Sequence, residues 1–329
     1  MLEELASTFP ILTCILFLPV IGAVVLWLFD DEDMVRTSAL AIALMELALC
    51  VFVLWRFIPE SAAMQFSEHV PWIPALGVSY HLAVDGISVL FVGLTAFLAV
   101  LIIIYSWDTV RHQVKLYMMA LLALETTTMG VFVSIDLILF FVFWELMLIP
   151  SYFLIKLWGG GAERHHAALK FVLYTLLGSV FMLVGIVLLD INYHQWATLR
   201  HLEPTYSFDL LELLSVPIPL SQQILIFWLL FLGFAFKAPV FPFHTWLPDA
   251  LLEGPIGMAV VLAGLKLGTF GFLRFSIPFS RTHRKATPSS QSSWLWGWRR
   301  FSMGRLWRWS SKIFAGSSRS AASVTLGLW

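Results

Sequence analysis

The chain has 329 residues, of which 59% are hydrophobic and only 12% charged, and its mean hydropathy is +0.85. A soluble domain needs more charge than this to cover its surface, so the composition points to a membrane protein, and no nucleic-acid partner is expected. The formal net charge of −1 conceals an asymmetry: residues 281–329 hold nine basic residues and no acid, leaving eleven basic residues against 21 acidic ones in 1–280.

The N-terminus carries Glu3 and Glu4 with no basic region, which argues against a cleaved signal peptide, so the first apolar run is expected to be retained as a membrane helix. A helix needs about 20 apolar residues to cross the hydrocarbon core. Eight segments meet that length, roughly 9–29, 38–58, 86–107, 116–134, 136–158, 168–189, 220–240 and 256–276. They lack period-2 alternation, and in lipid only helices or closed barrels satisfy the backbone, so the expected fold is an all-α polytopic transmembrane helix bundle. Cys14 and Cys50 lie inside apolar runs and read as small membrane-buried residues rather than a disulfide.

Orientation follows from basic residues in the connections. With the N-terminus outside, Arg36, Arg111, Lys115, Lys156, Arg164 and Lys170 fall on the inner side, against Arg56 and Arg200 on the outer side. The outer loop 59–84 contains three prolines and no Lys or Arg, and is expected to lie against the membrane surface. The seventh segment is unusual: its apolar run meets Lys237, then Pro239 and Pro242. Each proline removes an N–H and clashes with the preceding turn. The segment is either a helix broken at membrane depth, tolerated where it is buried or lines a wet cavity, or a plain helix end followed by a surface loop.

Ionisable residues within spans are expensive and are functional candidates by default. Glu145 sits near the middle of the fifth segment with Pro150 close by, Lys237 at the break in the seventh, and Lys266 mid-way along the eighth. A carboxyl and an amine in a poorly hydrated channel can exchange protonation when a nearby charge moves, which is the chemistry of a proton relay; a static buried ion pair is the alternative. Glu125, among Thr126, Thr127 and Thr128, is a further candidate with a local pairing as its alternative, and His244, just past the break, either carries protons or is a satisfied core histidine. Nothing else suggests chemistry. Gly159, Gly160 and Gly161 follow a span rather than lying between strand and helix, the two cysteines cannot hold an iron–sulfur cluster, and the adjacent His165 and His166 read as a solvated loop rather than a metal site. No redox centre, metal site or cofactor is therefore expected in the chain.

The stretches FWELMLIPSYFLIKLWGG, GFAFKAPVFPFHTWLPDA and LAGLKLGTFGFLRF, with YHLAVDGISVLFVGLT at 80–95, resemble the antiporter-like membrane subunits of respiratory complex I, the NADH–quinone oxidoreductase. The resemblance covers residues 1–279. It implies a proton-translocating enzyme subunit in a bacterial inner membrane, among other membrane-arm subunits, with NADH, FMN, iron–sulfur clusters and quinone held by partner subunits. It also implies that Glu145 and Lys237 form a charge pair central to pumping, that Lys266 is the next relay station, and that 116–279 is one antiporter-like five-helix repeat following three N-terminal helices in 1–115. Two departures stand out: the histidine customary after WLPDA is missing, and the run before Lys266 is two residues short, which rotates a helix by about 200°.

The tail 280–329 departs altogether. It has eleven serines and six tryptophans beyond residue 280 and no apolar run long enough to cross a membrane. Suitable codons for Lys312 to Trp329, read one base earlier, spell DFRRLVAFSSVSHLGFV, close to a motif in the family's later spans. The tail is therefore expected to be an out-of-frame reading, with a genuine basic tail on anionic lipid as the alternative.

Overall fold

In a computed structural model the described residues are 10–61, 63–201, 206–264 and 266–281. The expectations for the tail beyond residue 281 fall outside them. The apolar runs fold as helices, as a backbone without water requires: α1 Ile11–Leu26, α2 Glu32–Arg56, α3 Ser88–Thr109, α4 Val114–Val133, α5 Leu137–Leu146 continuing as α6 Leu148–Trp158, α7 Arg164–Leu199, α8 Leu210–Ser215, α9 Leu220–Lys237, α10 Trp246–Glu253, α11 Ile256–Gly264, α12 Leu267–Gly271 and α13 Ile277–Arg281, with a π turn Phe272–Ser276 before the last. Among the described residues seven stretches are long and apolar enough to cross a membrane, α5 with α6 and α11 through Phe279 each counting once. The expected first span yields only the 16 residues of α1, about 24 Å at 1.5 Å per residue, short of the ~30 Å hydrocarbon core. The sixth segment is longer than its apolar run: α7 continues through Asp190, Asn192 and His194 to Leu199.

The loop 59–84 is not a featureless surface segment. It folds into an antiparallel hairpin, β1 Gln65–Ile73 and β2 Val78–Val84, with β2 almost wholly buried. Gly77 turns the chain at φ 67°, a left-handed conformation, and a Cβ there would run into the Tyr206 carbonyl. Acidic residues tie the hairpin to helix ends, where free N–H groups need acceptors. Glu68 accepts from Leu12 N (2.7 Å) and Thr13 N (3.1 Å) at the start of α1. Buried Asp136 N-caps α5 through Ile138 N (2.8 Å) and accepts Ser79 N (2.8 Å) of β2 with its second oxygen. Asp209 N-caps α8 through Leu211 N (2.8 Å) and bonds His81 of β2. Its carboxyl, pushed upward by burial, is held below the usual carboxylate range because the His81 hydrogen bond and charge and the Leu211 and Glu212 N–H groups outweigh that burial.

The partnership that positions the site is α7 with α9. Small residues let their backbones approach closely, as membrane helices commonly require. A Cβ on Gly178 would lie 2.5 Å from Phe236 Cβ, and one on Gly233 would lie 2.6 Å from Met182 Cβ. The fifth segment is joined at Met147, and Pro150 of α6 removes an N–H from the ladder just beyond Glu145.

A buried lysine at a broken helix

The helix α9 ends at Lys237, and the chain then turns through Pro239 and Pro242 before α10 resumes at Trp246. The seventh segment is thus broken, as one of its two sequence readings held. A helix end leaves carbonyls without partners, a serious cost away from water. Here the indole Nε1 of Trp246 donates to the Phe236 carbonyl at 2.8 Å, while Ala238 N and Val240 N reach Phe234 O and Ala235 O at 2.7 and 3.0 Å. Trp246, itself buried, packs on Phe171 of α7, with ring centroids 5.2 Å apart, so α7 holds both sides of the break. A salt bridge from Lys170 of α7 to Asp249 of α10 (2.7 Å) adds a second clamp.

Lys237 is 7% exposed. Its Nζ donates to the Trp144 carbonyl at 3.1 Å and sits 4.1 Å from the centroid of the Trp144 ring, so one residue supplies both a carbonyl and a π face. Among the described residues no carboxylate oxygen lies within 4.0 Å of this nitrogen. Glu145, next to Trp144, interacts with Lys237 across that longer gap and faces Ser179 of α7; it is half-buried, and its Oε1 has no hydrogen-bond partner. The fifth, sixth and seventh segments therefore converge on one arrangement: carboxyl, tryptophan, ammonium. The carboxyl and the amine stand near one another without touching.

The other sequence candidates lie elsewhere. His244 is half-buried in the turn beyond the break, its ring 5.6 Å from that of Phe241. Lys266 corrects an expectation. It does not sit mid-way along a continuous helix: α11 ends at Gly264, Lys266 takes a left-handed conformation (φ 46°), and α12 begins at Leu267. The side chain is exposed rather than buried. Gly268, two residues beyond it, makes a close approach to the Ala238 backbone that leaves no room for a Cβ. Both broken segments thus meet at their breaks. Glu125 is buried at 4% exposure and faces Glu46 of α2, which the sequence reading passed over although it interrupts the apolar run ALMELALC. Also unforeseen was the ion pair between Arg274, 6% exposed, and Asp85 before α3. His69, His81 and Asp209 place one potential ligand atom each within 4.8 Å of one another, with both His81 ring nitrogens engaged by Ser67 and Asp209.

A family model described as NADH:quinone oxidoreductase/Mrp antiporter, TM, matches residues 134–296, so it starts at the entry to α5 and runs beyond the residue-279 limit of the sequence motifs. The NADH-quinone oxidoreductase subunit M of Rickettsia conorii is 39% identical over 278 residues, covering 82% of this chain and 54% of the relative. A chain of respiratory complex I from Thermus thermophilus with bound NADH superposes with a TM-score of 0.69 at 28% identity, over 82% of this chain and 54% of that one. A chain of the Mrp complex from Dietzia gives 0.68 at 24% identity over 82% of this chain and 28% of its own length, a likeness of fold alone. The chain spans about half the length of the curated relatives it matches. With a bundle that superposes on these membrane subunits and a family match that begins at the helix carrying Glu145, the chain is a multi-pass membrane protein similar to the NADH:quinone oxidoreductase/Mrp antiporter membrane subunits.

Proposed function

We propose that the chain acts in the proton-translocating membrane arm of a bacterial NADH–quinone oxidoreductase, with Glu145 and Lys237 as the charge pair that moves protons. The observation that carries this reading is Lys237 itself, an amine enclosed at a helix break with a carbonyl and an indole for partners and a carboxyl beyond contact distance. A contact ion pair would lock both charges. A separated pair leaves each group free to respond when the charge on the other changes, and the broken helix brings backbone dipoles to the same place. His244, beyond the break, and Lys266, at the facing break, extend the relay, Lys266 where a neighbouring surface covers it. In this reading the redox groups, NADH, FMN, iron–sulfur clusters and quinone, sit in partner subunits; the inner membrane houses the chain with its N-terminus outside. Residues 1–115 form the N-terminal helices, 116–279 the first antiporter-like repeat and 280–329 an out-of-frame tail. Membership in a multi-subunit cation/proton antiporter is the second reading, which the shared fold with the Dietzia chain favours at the level of architecture.

The test uses the assembled complex in proteoliposomes, with Glu145→Gln and Lys237→Ala. Proton translocation is expected to be lost in both while assembly and electron entry from NADH persist. A normal proton-to-electron ratio in both variants overturns the relay.

A further inference from the structure

We propose that Glu46 and Glu125 form a second proton-binding site, a carboxyl pair sharing protons in the N-terminal helices, apart from the residues that carry Glu145 and Lys237. Glu46 on α2 is 0% exposed and Glu125 on α4 is 4% exposed. Their carboxyl groups interact directly with each other, yet none of the four oxygens meets a donor in hydrogen-bond geometry. The titratable groups that influence the pair are the two glutamates and Cys50, one turn further along α2; none is a cation. Two ionised carboxylates cannot occupy one unsolvated site, because each loses its hydration and each repels the other. The geometry is satisfied once a proton lies between them: one carboxyl donates, the other accepts, and the pair titrates as a unit.

A purely structural role accounts poorly for this arrangement. Apolar side chains of the same size would fill the α2–α4 contact without the cost of burying two acids. The cavity beside the pair supplies the missing function. It measures about 20 Å³, and its lining includes Glu125, Thr95, Thr128, Ala99 and Val261. Room for one water requires roughly 10–15 Å³, and Glu125, Thr95 and Thr128 are the polar residues of the lining. Glu125 is therefore an unpartnered acid, more than nine-tenths buried, on the wall of a space of water size. Val261 belongs to α11, the half-helix that ends before the break at Lys266. The cavity therefore lies between Glu125 and the half-helix that leads to that break.

The experiment is infrared difference spectroscopy of the full chain in lipid nanodiscs at pH 7, wild type minus the double variant Glu46→Gln with Glu125→Gln. Expected is the C=O stretch of a carboxylic acid, shifted by exchange into D₂O and unchanged by sodium. A difference spectrum containing only carboxylate stretches overturns the proposal, and so does a band that sodium ions displace, which would make the pair a metal-cation site. If the glutamine pair does not insert, Glu46→Leu with Glu125→Leu serves as the reference, since it also removes both carboxyls and fits the apolar contact. Glu145 and Lys237 are untouched in every variant, so the outcome is independent of the relay proposed for them.

Discussion

The closeness of α7 and α9 sets where Lys237 stands, and Gly233→Ala tests it. A Cβ at Gly233 would lie 2.6 Å from Met182 Cβ and 3.1 Å from both Met182 Cα and N. Carbon atoms in good contact stand about 3.5–4.0 Å apart, so the helices must part by roughly 1 Å, because a backbone cannot turn aside. Overpacking of this kind costs about 1–3 kcal/mol. Replacing a helical glycine by alanine returns about 0.5–1 kcal/mol. The net expectation is a loss of about 1 kcal/mol, the two ranges bounding it between roughly 0 and 2.5 kcal/mol. Gly185→Ala is the control on the same interface: its neighbours would be Leu230 Cδ2 at 3.1 Å, Leu230 Cγ at 3.2 Å and Leu229 Cβ at 3.3 Å, none of them main-chain atoms, so a shift of a few tenths of an ångström relieves the contact and the helix-propensity gain prevails. The two substitutions should therefore carry opposite signs. Denaturant unfolding of the chain in mixed micelles, followed by tryptophan fluorescence, measures both. If Gly233→Ala matches or exceeds the wild type while Gly185→Ala weakens it, the close approach does not hold α9 in place.

Two other predictions concern groups outside the spans. Burial works to raise the Asp85 carboxyl, but Arg274, with the Ser88 and Ile87 N–H groups and the Ser88 hydroxyl, outweighs it and holds the group below the usual carboxylate range. A depressed folded pKa gives stability that is complete above the unfolded value of about 4 and is lost as pH falls below it. The unfolding midpoint should therefore drop on acidification below about pH 4. Asp85→Asn should lower stability at pH 7, by less than the ~3–5 kcal/mol of a fully buried pair because Asp85 is 26% exposed, and should flatten that acid slope; an unchanged slope refutes the pairing. Gly160, with open space around it, lies in a connection whose basic neighbours predict an inner-side location. A cysteine introduced there should react with an impermeant thiol reagent only from the cytoplasmic face, and labelling from the periplasmic face reverses the orientation.

Glu145 and Lys237 are legible in the sequence because a charge inside a run of lipid-spanning length stands out against its neighbours, and the break after Lys237 is legible because Pro239 and Pro242 cannot continue a helix. Transfer from water to lipid depends on local composition, so the span positions follow from the chain alone, apart from the shortness of α1 and the extension of α7 past its apolar run. Partnerships do not. Glu46 and Glu125 are 79 positions apart, Asp85 and Arg274 are 189 apart, and only the rotation of each helix decides whether such residues meet or face lipid. The hairpin in 65–84 is hidden because β2 is buried on both faces, against helix ends rather than against another sheet. The position of Lys266 eludes the sequence because hydropathy reports that a residue enters the apolar layer but not the φ it adopts there. Composition and proline placement alone establish a helical membrane bundle with charges at its breaks; only packing, through glycine contacts and capping carboxylates, decides which charges face one another and which face out.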